Sequence, residues 1–315
     1  MFSYLARKVG ELFLVLILIS FFSFGIIYIS PGDISSMYIK DWMTEEEVAQ
    51  VRAELGIDEP FIKQYWNWLK LALEGDFGKS LANNQPVLPQ LTRRLPSTIL
   101  LMGVSSLFGL AIAIPLGLWS GRRPGSWPDR IFSGLSFIGI SLPSFWFAMM
   151  MIIVFSGKLG ILPSSGMQTV GVNSLGDKVL HLIMPVITLS IGTIASFTRY
   201  IRANTIKEMQ EEYVLTARAK GQPENKILTR QVLKNTLLPV ITILGMSLPG
   251  LFTGSFITET IFAWPGIGSF AREAIGKRDY PVIMAYVMIS GTLLVLGNFI
   301  ADLIYASLDP RIRED

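Results

Sequence analysis

Apolar residues in this chain come in long blocks instead of the alternation or narrow stripes of a soluble fold. The blocks cover about 9–29, 97–119, 131–156, 179–198, 237–258 and 282–305. Each is close to the ~20 residues with which an α-helix crosses a hydrocarbon core of roughly 30 Å. The pattern predicts an all-α integral membrane protein with about six transmembrane helices. The first block follows Arg7 and Lys8, and Pro31-Gly32-Asp33 stops it. It exceeds the ~7–15-residue core of a cleaved signal peptide and no A-x-A-like site follows, so it reads as a spanning helix.

Between 34 and 96 the pattern turns polar. Thr44 followed by Glu45, Glu46 and Glu47 predicts a capped helix start, and 61–73, with Trp66, Trp68, Leu69 and Leu71, predicts an amphipathic helix. This is a small helical excursion outside the membrane after the first helix. The chain divides into 1–93 (first helix and extracytoplasmic excursion), 94–308 (membrane core, with a cytoplasmic loop at 199–236) and a cytoplasmic tail at 309–315. Pro115, Pro143, Pro185 and Pro249 interrupt the apolar blocks, which a membrane helix tolerates where neighbours satisfy the freed backbone groups. Gly117 with Gly121, and Gly250 with Gly254, have the small-xxx-small spacing of close helix contacts, within the chain or between subunits. No 20–50-residue repeat and no inverted pair of broken helices is visible.

Composition agrees with the blocks. Half of the 315 residues are hydrophobic, 16% are charged and the mean hydropathy is +0.47. A net charge of +3, with the basic residues beside apolar blocks, gives no nucleic-acid footprint. With no cysteine and a single histidine, His181, there are no disulfides, thiolate sites or histidine-based zinc sites and triads, and no metal site is expected. Arg7, Lys8, Arg122, Arg123, Arg130, the basic residues of 199–234, Arg311 and Arg313 fall on one side of a six-span arrangement. Lys158, Lys178, Arg272, Lys277 and Arg278 in short loops, and Arg93 and Arg94 close to the second span, lie on the other. The balance places both termini and the 199–236 loop in the cytoplasm of a multi-pass cell-membrane protein.

That loop is a basic island between apolar blocks. Glu211, Glu212, Ala217, Ala219 and Lys220 favour a helix, which Gly221 and Pro223 end. Tyr213, Ala217 and Lys220 or Gly221 then share one side, a shallow face suited to docking against a protein. The run Glu212-Tyr213-Val214-Leu215-Thr216-Ala217-Arg218-Ala219-Lys220-Gly221 resembles the coupling loop of bacterial ABC importer permeases, in particular the peptide and nickel branch. Thr216-Ala217-Arg218 stands where the general importer pattern has Glu-Ala-Ala. The gap from Gly221 to Pro239 is also longer than in sugar-type permeases, and both departures are those of the peptide branch. Arg94-Leu95-Pro96-Ser97-Thr98, Gly160-Ile161-Leu162-Pro163, Leu308-Asp309-Pro310-Arg311 and above all Glu259-Thr260-Ile261-Phe262-Ala263-Trp264-Pro265-Gly266-Ile267-Gly268 resemble further signatures of that family.

The resemblance implies a type I ABC importer permease fold and a pore-forming subunit that moves peptides, or a nickel or other metal chelate, across the cytoplasmic membrane. It implies a second related permease, two cytoplasmic ATPases that bind ATP and magnesium, and an extracytoplasmic solute-binding protein. The chain itself would bind no cofactor and carry no ATPase site. Glu212, Tyr213, Thr216, Ala217, Arg218, Ala219, Lys220 and Gly221 would form the ATPase-coupling loop. Glu259, Trp264, Pro265 and Gly266 would form an outer turn, either a gate near the path or an interfacial anchor.

Other residues have plainer readings beside sharper ones. Gly78-Lys79-Ser80 lacks the first glycine of a phosphate loop. Asp302, an acid inside the last block, is a candidate for ion movement or a structural partner near a helix end. Glu259 and His181 sit at outer span boundaries, where a local hydrogen bond is the ordinary role. Arg199, Arg202 and Lys207 fit the positive-inside bias or contact with anionic lipid. A carrier driven by an ion gradient would have to use Asp302, Glu259 and His181. A bare membrane anchor would leave the proline-broken helices and structured loop unexplained.

Overall fold

The computed structural model describes residues 2–29, 43–47, 59–237, 240, 243 and 256–308, with side chains described between residues 10 and 299 of these. The expected stop at Pro31-Gly32-Asp33, most of the 237–258 span with Pro249, Gly250 and Gly254, and the 309–315 tail with Arg311 and Arg313 lie outside the described residues. The eleven described helices are α1 (Phe2–Ile29), α2 (Phe61–Leu73), α3 (Val87–Arg122), α4 (Trp127–Ser141), α5 (Ser144–Met151), α6 (Leu175–Glu208), α7 (Glu212–Ala219), α8 (Glu224–Ile227), α9 (Phe256–Ile261), α10 (Ile267–Gly276) and α11 (Tyr280–Leu308). Two π-helical stretches, Ile152–Lys158 and Leu228–Val232, continue α5 and α8.

Among the described residues, four helices hold stretches long and apolar enough to cross a membrane: Gly10–Ile29, Val87–Arg122, Leu175–Glu208 and Tyr280–Phe299. The block expected as one span at 131–156 is two helices, bent by 101° between α4 and α5. Leu142, with ψ 124, is extended, as the ring of Pro143 requires of its predecessor. Pro96, Pro115 and Pro185 lie inside continuous helices.

The excursion starts as expected: the Thr44 backbone N–H donates to Glu47 Oε2 at 2.8 Å, and the Glu47 N–H returns to Thr44 Oγ1 at 3.3 Å, a capping box. The C-terminal half of α1 packs on Phe61 and Tyr65 of α2. Phe21 meets Phe61 and Tyr65 edge-on at 5.5 and 5.3 Å, Tyr28 meets Phe61 at 5.1 Å, and the Ser20 and Tyr65 hydroxyls pair at 2.8 Å. Edge-to-face rings add about 0.5–1.5 kcal/mol per pair beyond area burial.

At the centre of the described helices, α3 and α6 run parallel, with Gly109, Gly117 and Gly121 of α3 meeting Thr193, Ile201 and Thr205 of α6 in the same order. Gly109, Ala113, Gly117 and Gly121 form a ridge at four-residue spacing along α3. A Cβ on Gly117 would stand 2.6 Å from Ile201 Cβ, and one on Gly121 2.6 Å from Thr205 Cβ. The Gly117–Gly121 pair is therefore a contact within the chain. The Ser190 hydroxyl, fully buried, donates across the same interface to the Ser105 carbonyl at 2.8 Å. A second core, formed by Val87, Leu91, Ile267, Phe270, Ala274, Val282 and Ala285, joins the start of α3 to α10 and α11.

Candidate functional site

Helix α7 forms where the polar loop predicts it. Its end is a Schellman cap: the Gly221 N–H donates to the Arg218 carbonyl at 2.9 Å and the Gln222 N–H to the Ala217 carbonyl at 3.1 Å, with Gly221 at φ +72. Pro223 then opens α8. The face expected to dock is not the free one. Ala217, 3% exposed, joins Val214, Met209, Ile227 and Val232 in a small buried core, and Tyr213 packs on it. The Tyr213 hydroxyl donates to Glu208 Oε2 at 2.6 Å; burial first, then this carboxylate, pushes the phenol up to about 12. That side is claimed from outside the helix, by Ile227 and Val232, which arrive after the turn.

The outward side consists of Glu212, Leu215, Thr216, Arg218, Ala219 and Lys220. Leu215, 56% exposed, is an unshielded apolar residue that the sequence reading did not single out. The missed signal was its place at i+3 from Glu212 and opposite Val214 and Ala217. Arg218 reaches over the turn to Glu224 at 2.6 Å, an exposed ion pair that holds the Glu224 carboxyl below its usual range.

One polar tie joins this loop to α3, and a second, beside it, joins the α3–α4 turn to α6. Arg122 Nη1, at the end of α3, donates to Asn225 Oδ1 at 2.6 Å. Asp129, 2% exposed at the start of α4, accepts from both Nε and Nη2 of Arg202 on α6, the latter at 2.8 Å. It also accepts from the Ser120 hydroxyl and from the Gly125 N–H at 2.8 Å. One carboxylate therefore fastens the α3–α4 turn to α6. Sequence alone gave Asp129 no distinction from an ordinary acid in a first helical turn.

At the opposite end of α3 the long Glu259–Gly268 signature meets the Arg94–Thr98 signature. Glu259 is fully buried. It accepts from the Thr98 hydroxyl at 2.8 Å and from the Ser269 N–H at 3.0 Å, while Thr98 Oγ1 accepts from the Ile267 N–H at 2.9 Å. Trp264, also fully buried, donates its indole N–H to the Ser97 carbonyl at 2.9 Å. It packs on Leu101, Val186 and Met167, so it anchors within the chain instead of at a lipid interface. Gly266 has no room for a side chain, because a Cβ there would overlap the Glu259 carboxylate. The 160–166 stretch joins the same cluster, with the Gly166 N–H donating to the Phe262 carbonyl at 2.8 Å.

The remaining candidates separate. His181 is buried, with Nδ1 2.9 Å from the Asp177 carbonyl of its own helix, a set of partners distinct from those of Glu259. Gly78-Lys79-Ser80 forms a turn held by Asp279, which accepts from the Ser80 hydroxyl at 2.5 Å and from the Leu81 and Ala82 N–H groups at 3.1 and 3.3 Å. Asp302 lies on α11, with its side chain outside the described residues.

A multi-helix membrane core, a capped amphipathic helix projecting from its polar loop, and signature segments that interlock at the other end define a helical membrane component of a transport machine. The chain belongs to the family "binding-protein-dependent transport system inner membrane component", whose model matches residues 113–314; a companion N-terminal model of the same transport systems matches 1–102. It is 40% identical over 315 residues to the oligopeptide transport system permease protein AppB of Bacillus subtilis, covering 99% of this chain and 100% of that one. It is 32% identical to the dipeptide transport system permease protein DppB of Alkalihalophilus pseudofirmus, covering 99% of this chain and 100% of that one. It is 33% identical to the glutathione transport system permease protein GsiC of Salmonella choleraesuis, covering 99% of each. An inward-facing structure of the MetNI methionine ABC transporter superposes with a TM-score of 0.52 at 21% identity, covering 70% of this chain and 96% of that one, which shows a shared fold. The chain is thus a multi-pass permease subunit of an ABC importer, a system whose ATPase is a separate subunit. The ion-gradient carrier and the bare anchor fall away.

Proposed function

We propose that this permease moves peptides inward, and the observation that carries the reading is its near full-length similarity to oligopeptide, dipeptide and glutathione permeases. Those relatives favour peptide over a nickel chelate. In this reading a second, related permease completes the pore, two cytoplasmic ATPases bind ATP and magnesium, and an extracytoplasmic solute-binding protein delivers the peptide. Both termini lie in the cytoplasm. The outward side of α7, centred on Leu215 with Glu212, Thr216 and Ala219, seats in a cleft of an ATPase. Its inner side, Val214 and Ala217, carries the displacement to α8 and the π turn that follows. The Arg122–Asn225 and Asp129–Arg202 ties pass it to the ends of α3, α4 and α6. The Glu259–Trp264–Gly266 turn acts as an anchor that keeps the outer ends of α3, α9 and α10 together while the cytoplasmic ends move.

Affinity purification of the tagged chain with its partners, followed by ATP-driven uptake of a labelled peptide in proteoliposomes, tests this. A sister permease and two ATPases are expected, with uptake lost and the ATPases released in Leu215→Asp. A chain that purifies alone would sink the proposal, as would uptake indifferent to Leu215.

A further inference from the structure

The three basic residues of α6 that sequence treats alike, Arg199, Arg202 and Lys207, have different surroundings. Arg202 is neutralised by Asp129. Arg199 is exposed and lies over the Phe137 ring of α4, 4.6 Å from its centre. It faces a cavity of about 550 Å³ between α4 and α6, to which Ser133, Ile140, Ser196 and Tyr200 contribute. At 100° per residue, Ser196, Arg199 and Ala203 lie on the side of α6 away from the residues that meet the glycine ridge, Thr193, Ile201 and Thr205. The cavity therefore opens at the periphery of the described helices. Arg199 is nine residues before Glu208, roughly 14 Å along the helix from its loop end, near the depth at which an apolar span gives way to headgroups.

We propose that this cavity is a binding site for an anionic phospholipid. The Arg199 guanidinium takes the phosphate oxygens, Ser196 and Tyr200 add hydroxyls, and one acyl chain lies along Phe137 and Ile140, both substantially exposed. The choice of occupant follows from the wall. A phospholipid needs one cation, a few donors and an apolar flank, all of which are present. A peptide brings an N–H and a C=O at every residue, for which an apolar flank offers no partners. Stacking on Phe137 fixes the guanidinium plane while leaving its N–H edges for oxyanion contacts.

The test is native mass spectrometry of the full chain released from nanodiscs made of equal parts phosphatidylglycerol and phosphatidylcholine, with retained lipids counted. Wild type should retain phosphatidylglycerol preferentially. Arg199→Gln should reduce that preference about fivefold, the effect of one basic group near a membrane surface. Arg199→Lys should reduce it less, and Phe137→Ala should weaken it with the charge intact. Arg130→Gln, at an exposed arginine of α4 outside the cavity, should change it little. Equal losses in Arg199→Gln and Arg130→Gln would reduce the site to diffuse surface charge. An unchanged preference in Arg199→Gln, or displacement of the retained lipid by a millimolar peptide with a free carboxylate, would overturn the assignment; the last result would give the cavity to solute.

Discussion

The Glu259–Ser269 turn packed on the start of α3 and the α7–α8 loop beyond its other end are fastened in opposite ways. In the turn a fully buried carboxylate, Glu259, gathers hydrogen bonds from Thr98 and the Ser269 backbone, and a fully buried tryptophan closes over them. In the loop, α7 and α8 rest on one small apolar core, with an exposed ion pair and an open side centred on Leu215. Buried polar networks lose heavily when one member is removed, since the others are left without partners in a medium that cannot solvate them. A helix on a thin apolar core, with its ion pair in water, has little to lose from any single outward residue. The first construction holds a shape; the second suits a part that must be gripped and released.

Substitutions can break or sharpen that contrast. The largest loss of stability is expected for Glu259→Ala, about 3 kcal/mol or more, as Thr98 and Ser269 lose their acceptor; the check is the thermal midpoint and detergent-extracted yield. Gly266→Ala should follow at about 1–3 kcal/mol, because its methyl group must displace that carboxylate; a neutral result would mean the turn yields easily. Val214→Ala, in the α7–α8 core, should cost about 1–2 kcal/mol, with a local rise in amide exchange over α7 and α8 and none at the Glu259–Ser269 turn. Leu215→Asp should leave the midpoint within about 0.5 kcal/mol of wild type while abolishing peptide uptake; a matching fall in stability would erase the distinction between the two regions.

The smallest effect is expected at Glu224. Its carboxyl is held below the usual range by Arg218, so its contribution is present above the unfolded value of a glutamate. It is lost as pH falls through the lower folded value. For an exposed pair this is under about 0.5 kcal/mol and should vanish in high salt, whereas Glu224→Gln should show no such acid dependence.

What sequence could show follows from the range of the physics involved. A bilayer span is a matter of local composition, so α1, α3, α6 and α11 announce themselves. The end of α7 was legible because a left-handed glycine followed by proline is a local device, and the Gly117–Gly121 ridge because four-residue spacing is. Pro115, Pro143 and Pro185 looked alike, yet of these three only Pro143 marks a break. Whether a helix continues depends on what satisfies the freed carbonyl, which is a matter of neighbours. The same holds for α7, where Ile227 and Val232, more than ten residues on, decide which side is buried. Asp129 was hidden, and the partner of Glu259 with it, for the same reason: Arg202 and Thr98 lie 73 and 161 residues away.

The glycine ridge has a mechanical side. Where three of the four ridge positions lack a side chain, little soft side-chain layer is left to absorb shear between the two helices. Helices α3 and α6 then behave as one stiff beam, with α6 alone roughly 50 Å long. On the coupling proposed above, a push at the Arg202 end would reach Ser97 and Thr98 as rotation of the pair as a whole, with little lost along the way.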